Sequence, residues 1–519
     1  MENTTTVYRH VQPITWSCFL LCLLVPLVIV CIKYAESLTC PLLPNGSPKL
    51  WEAYQWPVIG SALRFYSRRR DMVVEGSNVF PGGTFSFYVG KKHIINLGGL
   101  SGRKTFFESK EFSVSQGFVE LLTGLVSSND ARDDYGAAFF VKCVSALSRA
   151  EKLATRLPVL VSDVGEFCDE LASQPASRSD PRWRVTNVTQ SVYMLLYKLV
   201  QRSVGATEIA ENDMLLRHTL RIFENFEKST SLAHIIFPWL VTPTCVGRLI
   251  ASARLYMVIM KILERRNKTG CRVDDTLQYI YDQDGDADKV VRFTFSALSS
   301  SVTMTGAAVT WLPAFLADAI GWQERCREEV DAVLSKHRAD PKQSPNDILA
   351  TLSLQDWESE FPILYSCLQE TLRITSTGTF FRKNISGRDI PIGDTGDVVP
   401  NGSYAAYLPD NMHMDPRLYP DPLTFNPGRF SNLAGSDEDE PHTFLGWGSG
   451  RHLCAGMRLA KLEINLILVH MLANFDFELS DEQGRRKVGA MPRVDRNMLR
   501  PEKSHVPIYI RYKRRDLAA

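Results

Sequence analysis

The stretch Trp447-Gly448-Ser449-Gly450-Arg451-His452-Leu453-Cys454-Ala455-Gly456 decides how the rest of this chain is interpreted. It places a cysteine after a glycine-rich loop and at the start of an apolar-periodic helix predicted over residues 455–473. A thiolate at Cys454 gains from the N-terminal end of the helix dipole and from loop N–H groups directed at the sulfur. An isolated cysteine is more often a buried residue of the core. The neighbouring sequence therefore has to show whether Cys454 is a core residue, a nucleophile or a metal ligand.

Composition excludes several classes of protein. The 519 residues include 59 Lys plus Arg and 58 Asp plus Glu, so no strong positive field favours nucleic acid. The 11 cysteines are irregularly spaced, and neither Cys-x-x-Cys nor His-x-x-x-His occurs. This pattern predicts neither a disulfide framework nor a zinc site, and it favours a reducing compartment.

The N-terminal segment is predicted to be a membrane anchor. Residues 16–32 are nearly all apolar, close to the length of about 20 residues that a transmembrane helix needs. A cleaved signal peptide is the rival interpretation, but no clear small-x-small site follows. The anchor is assigned to residues 1–35, a proline-rich hinge to 36–60 and a catalytic domain to 61–519. The sequon at Asn3 would be usable only if that end is lumenal.

The catalytic domain is predicted to be mainly α with a smaller β-rich part. Helical periodicity dominates residues 130–334, and a long central helix is predicted over 293–319. Strands are predicted at Phe85–Val89, 93–97, within 389–407 and at 475–479. The charged residues 511–515 are predicted to be a solvated end.

A carboxylate upstream of the loop is predicted to lock it in place. Glu370 and Arg373 lie three residues apart in a predicted helix and therefore share a face. Alone, such a pair is commonplace on a protein surface. Arg429, in Phe425-Asn426-Pro427-Gly428-Arg429-Phe430, adds a second cation shortly before the cysteine loop. A carboxylate shared by both arginines would fix the loop against the helix.

These motifs resemble those of the cytochrome P450 haem-thiolate monooxygenases. The family order is Glu-x-x-Arg, Pro-x-Arg-Phe and then Trp/Phe-Gly-x-Gly-x-His/Arg-x-Cys-x-Gly, and residues 413–422 strengthen the match. The resemblance covers nearly the whole chain. It implies the cytochrome P450 fold, preceded here by one N-terminal transmembrane helix.

The resemblance implies a cofactor and residues that hold it. Cys454 corresponds to the thiolate that ligates the iron of haem b, iron protoporphyrin IX. His452 and Arg382 correspond to residues that face the haem propionates, although Arg382 alone would equally suit a strand-edge charge. Further cofactor-binding positions implied by the same loop are Trp447, Gly450 and Gly456.

On the opposite side of the haem the sequence departs from the family pattern. Aligned by Trp311, Thr305 falls on the oxygen-activating threonine and Met304 on the usual acid or amide, with Thr303 as the alternative catalytic threonine. Helical threonines often only bond back to a preceding carbonyl. Because the usual acid is missing, a reaction that needs no dioxygen activation remains an alternative function.

The resemblance also implies partners. Electrons would come from NADPH–cytochrome P450 reductase, and the substrate would be a hydrophobic small molecule, expected to be a fungal secondary metabolite of terpenoid, polyketide or alkaloid type. The expected location is the endoplasmic reticulum membrane, single-pass, with the catalytic domain cytosolic. The alternatives are a haem-thiolate isomerase or dehydratase that needs no reductase, and a non-enzymatic haem-binding membrane protein.

Overall fold

The computed structural model describes residues 41–123, 132–229, 232–237, 239–431, 440–487 and 491–515. The predicted anchor, 1–35, and the first part of the predicted hinge lie outside the described residues. Within the described part of the chain, no single helix is long and apolar enough to cross a membrane. The segments Ala287–Asp318 and Ile320–His337 reach that length and hydropathy only together, across a bend of 108°.

The described residues are mainly helical, as the sequence predicts. The α-helices are, in chain order, α1 (Ala62–Ser67), α2 (Arg69–Val79), α3 (Gly99–Glu108), α4 (Val114–Phe118), α5 (Arg132–Leu147), α6 (Ala150–Ser173), α7 (Val188–Val204), α8 (Thr207–Glu211), α9 (Asp213–Lys228), α10 (Leu232–Ile236), α11 (Pro243–Thr269), α12 (Thr276–Asp284), α13 (Ala287–Ser300), α14 (Gly306–Asp318), α15 (Ile320–His337), α16 (Pro345–Leu349), α17 (Leu354–Ser359), α18 (Pro362–Thr375), α19 (Asp410–His413), α20 (Gly428–Ser431) and α21 (Met457–Asn474).

The smaller β part forms separate sheets. Its strands are β1 (Phe85–Val89), β2 (Lys92–Asn96), β3 (Phe112–Ser113), β4 (Arg184–Asn187), β5 (Phe380–Asn384), β6 (Ile390–Pro391), β7 (Val398–Val399), β8 (Tyr404–Tyr407), β9 (Phe475–Ser480) and β10 (Tyr509–Arg514). The largest sheet has the order β1-β2-β8-β5-β3, and the others are β4-β10-β9 and β6-β7. The predicted hairpin is confirmed, since β1 and β2 pair antiparallel.

The central helical segment is longer than predicted and changes its winding midway. It begins at Ala287, six residues before the predicted start, and ends at Asp318. A π-helical turn, Ser301–Thr305, separates α13 from α14. Such turns occur frequently at functional sites. Pro313 lies inside α14 without ending it, and the helix is buried from Gly306 to Ala317, so packing on all sides outweighs the weakening expected from proline.

Helix α21 lies in the core directly after the cysteine loop. Its predicted apolar face, which includes Leu459, Leu462 and Leu466, is buried in the main hydrophobic cluster. Nearly every later residue of α21 is buried as well. The helix that begins just after Cys454 is therefore a fixed support for the loop.

The prediction of a solvated C-terminal end is wrong. Tyr509–Arg514 forms the middle strand of the sheet β4-β10-β9. Alternation along this strand buries Ile510 and Tyr512, while Arg511 between them and Lys513 after them are partly exposed. Arg515 then pairs with Asp331 at 2.7 Å, so the basic run is tied to the domain.

Candidate functional site

The cysteine loop folds back on itself before α21 begins. The backbone N–H of Cys454 donates to the carbonyl of Trp447 at 2.8 Å, which closes the loop. Gly448 and Gly450 have φ of 74° and 60°, a left-handed conformation that side chains disfavour. A Cβ on Gly450 would lie 2.4 Å from the carbonyl oxygen of Phe107. Gly450 therefore lets the loop pack closely against α3.

Cys454 combines solvent access with an enclosed position. Its side chain is exposed, yet the surrounding protein raises the pKa of its thiol by burial. The backbone N–H of Gly456 hydrogen-bonds to the sulfur and lowers that pKa. Because the net shift is upward, the thiolate needs a further positive charge, which a metal ion supplies. An activated nucleophile needs a lowered pKa, so this environment does not favour a free nucleophile at Cys454.

The Glu370 carboxylate is shared by two arginines. Arg373 donates to it from Nε at 2.7 Å and from Nη2 at 2.8 Å, and both side chains are fully buried. Arg429 donates from Nε to Oε1 of Glu370 at 3.3 Å, and the backbone N–H of Asn426 donates to the same oxygen at 3.0 Å. These bonds join α18 to the segment that leads into the cysteine loop.

His413 connects this ion cluster to the cysteine loop, a role that sequence reasoning missed. Its ring Nε2 accepts the backbone N–H of Leu445 at 2.8 Å, and its carbonyl accepts from Arg373 Nη1 at 2.6 Å. The sequence signal for this role is the position of His413 in residues 413–422, a segment that takes part in the family resemblance.

Arg382 supplies a buried positive charge beside the loop, next to the imidazole of His452. Arg382, on β5, is buried with its guanidinium 4.6 Å from the ring of Phe106. Its Nε and Nη1 atoms have no hydrogen-bond partner within the described residues. Burial lowers the pKa of Arg382 to about 10, so it remains charged at neutral pH. Burial, then the charges of Arg382 and Arg451, lower the pKa of His452 to about 4. The positive charge of Arg382, with the neutral His452 beside it, fits an acidic group of a ligand.

The central helix exposes a different residue from the one expected. Thr303 and Thr305 are both buried, with 9% and 7% of their surfaces exposed, whereas Met304 between them is 37% exposed. Thr303 donates to Glu227 of α9 at 3.2 Å. Met304 is thus the most exposed side chain of the π-helical turn, and Ser301 is partly exposed. The catalytic roles assigned to Thr303 and Thr305 stay predictions.

Comparison with known proteins identifies the family. The sequence matches the cytochrome P450 family over residues 50–505. The chain belongs to this family. The cytochrome P450 monooxygenase AacuE of Aspergillus aculeatus is 30% identical over 446 residues, which cover 83% of this chain and 86% of the relative. The cytochrome P450 monooxygenase dmxR5 of a Cryptosporiopsis species is 30% identical over 418 residues, 78% of either chain.

The fold agrees with this assignment. Retinoic acid-bound cyanobacterial CYP120A1 superposes on this cytochrome P450 with a TM-score of 0.67 at 18% identity, covering 90% of this chain and 99% of the other. The family and the mainly α fold predicted from the sequence are therefore confirmed.

Cytochromes P450 bind haem through a cysteine thiolate, and the residues described here fit that cofactor. Cys454 offers an accessible sulfur that already accepts an N–H from Gly456. The unpartnered nitrogens of Arg382 would hold a haem propionate, with His452 beside it. Trp447 is half-buried against the main hydrophobic cluster and supports the loop.

Proposed function

We propose that this cytochrome P450 takes electrons from NADPH–cytochrome P450 reductase and uses dioxygen to oxidise a hydrophobic small molecule. The proposal is carried by two features together: an accessible Cys454 just before α21, and a buried Arg382 whose Nε and Nη1 lack hydrogen-bond partners among the described residues. When bound, haem supplies dioxygen activation, which an electron-donating thiolate favours. The chain's own contribution is to hold that sulfur and to keep the arginine available as a cation.

The proposed substrate is a fungal secondary metabolite of terpenoid, polyketide or alkaloid type. Support comes from two relatives of 30% identity, which are cytochrome P450 monooxygenases from fungi. The exposed face of the central helix presents Ser300 and Met304, four residues apart. The thioether of Met304 is an apolar and adaptable contact, which suits a hydrophobic molecule.

We also propose attachment to the endoplasmic reticulum membrane, with the catalytic domain in the cytosol. Large apolar side chains are exposed near the point where the described chain begins, at Leu42, Trp56 and Leu63. Helix α1, which carries Leu63, contacts α10, and the segment after α10 exposes Trp239 and Val241. Together with the apolar residues 16–32, this surface supports membrane association.

A haem-thiolate isomerase or dehydratase is the second candidate. The exposed Met304 favours it, because this residue stands where the family usually has an acid or amide. Such an enzyme acts without NADPH and reductase. Product formation that requires both components would support the monooxygenase, and product formation in their absence would support the isomerase or dehydratase.

The carbon monoxide difference spectrum of the reduced protein tests the haem-thiolate assignment. We expect the red-shifted Soret band of a thiolate-ligated haem in the natural protein and its loss in Cys454→Ser. Cys271→Ser is the matched control, because Cys271 is also an exposed free cysteine but lies between α11 and α12. A natural protein without this band, or a Cys454→Ser variant that keeps it, would contradict the assignment.

A further inference from the structure

Three potential metal ligands meet where α15 ends beside α17. His337 is the last residue of α15, Asp356 lies in α17, and Glu360 directly follows α17. One ring nitrogen of the histidine and one oxygen of each carboxylate lie within 4.8 Å of one another, and all three residues are half-buried. Ligand atoms that bind Zn²⁺ at about 2.0–2.2 Å lie at most about 4.4 Å apart. Small side-chain adjustments therefore bring all three to a shared cation.

The imidazole of His337 is the clearest sign that a cation binds at this place. Its Nε2 atom is buried, yet it makes no hydrogen bond within the part of the chain that the structure describes. A buried polar nitrogen without a partner is unfavourable, so such a group in a folded protein requires an explanation. Neutral imidazole is a common ligand of transition-metal ions, and a bound cation would satisfy this nitrogen.

Each of the two carboxylates keeps one oxygen available. Oδ2 of Asp356 accepts from the backbone N–H and the hydroxyl of Ser353 at 2.8 and 2.7 Å. Oε1 of Glu360 accepts from Lys336 Nζ at 2.5 Å. Among the described hydrogen bonds, none uses Oδ1 of Asp356 or Oε2 of Glu360. The bond from the Ser353 hydroxyl lowers the pKa of Asp356, so this carboxylate is ionised at neutral pH.

The two elements that carry the ligands are both fixed to the core. In α17, Trp357 is fully buried, its ring stacks on that of His470 in α21 with centroids 5.8 Å apart, and its carbonyl accepts from Asn465 at 3.2 Å. In α15, Val333 and Leu334 pack into the main hydrophobic cluster. A cation that binds between two fixed elements pays little for ordering its ligands.

The chemistry of the three side chains selects the cation. Two carboxylates and a neutral imidazole together carry two negative charges, which a divalent cation neutralises. Lys336 gives Glu360 one positive charge, but the two side chains are 57% and 28% exposed, so this pair is weak. The nitrogen donor favours Zn²⁺ over Mg²⁺ and Ca²⁺, which prefer oxygen ligands.

We propose that His337, Asp356 and Glu360 bind a Zn²⁺ ion, with water completing its coordination. The ion ties the end of α15 to α17, which packs through Trp357 on α21, the helix that begins just after Cys454. The site shares no residue with the haem centre and serves the stability of the fold.

Zinc binding to the purified holoenzyme tests the proposal. We expect an X-ray absorption spectrum with one imidazole nitrogen and oxygen ligands at about 2.0–2.2 Å. His337→Gln should weaken Zn²⁺ binding at least about tenfold, as measured by competition with a zinc-binding dye, because the nitrogen ligand is lost. His505→Gln is the matched control and should bind Zn²⁺ as the natural protein does. His505 faces Glu502 at 3.6 Å, but no second carboxylate completes a group of three there within the described residues.

A second variant and a stability measurement keep the test decisive. Glu360→Gln should weaken zinc binding like His337→Gln, and Zn²⁺ should raise the melting temperature of the natural protein but of neither variant. All variants should keep the haem spectrum, so zinc binding and haem binding are scored separately. Zinc binding that is unchanged in both His337→Gln and Glu360→Gln, an equal loss in His505→Gln, or displacement of Zn²⁺ by equimolar Ca²⁺ would overturn the proposal.

Discussion

The ring Nε2 of His413 lies 2.8 Å from the backbone nitrogen of Leu445, two residues before Trp447 begins the cysteine loop. Burial, followed by the charges of Arg373 and Arg496, lowers the pKa of His413 to about 3. The imidazole is therefore neutral, and its unprotonated Nε2 accepts the N–H of Leu445. Arg373 also donates to the carbonyl of His413. His413 therefore contacts both the Glu370–Arg373 ion pair and the segment that begins the cysteine loop.

Replacing His413 should loosen the cysteine loop. His413→Ala leaves the buried N–H of Leu445 without an acceptor, which costs about 1–3 kcal/mol. We expect a lower melting temperature and conversion of part of the thiolate Soret band to the band of a haem without thiolate ligation. His413→Gln, which retains an acceptor, should restore part of the thiolate band.

His218→Ala is the control for His413, because His218 is an exposed histidine of α9. It should leave both the melting temperature and the spectrum unchanged. A His413→Ala protein with the natural spectrum would show that the loop keeps its geometry without this hydrogen bond.

Removing the Glu370 carboxylate, which two arginines share, should lower the stability of the fold far more than removing an exposed carboxylate. Glu370→Gln leaves the fully buried Arg373 without its counter-charge, which costs about 3–5 kcal/mol. Glu358→Gln removes a comparable bidentate partner of Arg458, but both side chains are about one-third exposed, so the loss is below about 1 kcal/mol. Chemical denaturation and the haem content of the purified protein measure the difference. Equal losses would contradict the locking role of Glu370.

The Glu370–Arg373 pair and the β1–β2 hairpin are predictable from the sequence, because in each case the partners lie close together in the chain. Glu370 and Arg373 lie on one turn of a helix, and the turn between β1 and β2 joins strands that are adjacent in the chain. The family resemblance then supplied the order of the motifs. By contrast, Glu227 and Thr303 are 76 residues apart, and their contact depends on how α9 crosses the central segment. No periodicity in either segment encodes that crossing.

The wrong prediction at the C-terminus has a similar origin. A basic run such as residues 511–515 is normally a solvated end, and the alternating Ile510 and Tyr512 were the only signal of a strand. The strand forms because β4 and β9, more than 20 residues away in the chain, flank it on both sides. Tertiary pairing therefore overrides the local charge pattern.

Arg382 should control haem retention. Arg382→Ala removes the buried guanidinium whose Nε and Nη1 have no partner in the described part of the chain, so an acidic edge of the cofactor loses its cation. We expect faster haem loss to apomyoglobin and a lower ratio of Soret to protein absorbance. Arg388→Ala is the control, because Arg388 follows β5 closely but is exposed and pairs with Glu111. Identical haem-loss rates in the two variants would assign Arg382 to packing on Phe106 instead.

Glu463 gives the domain a pH dependence of its own. This glutamate lies in α21 within the core, where Ser203 donates to Oε1 at 2.9 Å. Burial raises its pKa to about 8, against about 4.3 for an unperturbed glutamate in the unfolded chain. Between these values the folded protein binds a proton that the unfolded chain has released. The free energy of unfolding therefore falls as the pH rises through this window and levels off above about pH 8.

Glu463→Gln should remove this contribution, because Gln stays neutral and still offers an oxygen to Ser203. At pH 5 the variant and the natural protein should differ little in stability. The variant should then gain, relative to the natural protein, up to about 1.4 kcal/mol for each pH unit until about pH 8. Urea denaturation at several pH values measures the difference, with the exposed Glu482→Gln as the control. A difference that stays constant from pH 5 to 8 would mean that Glu463 is ionised in the folded protein, with a cation or water compensating its burial.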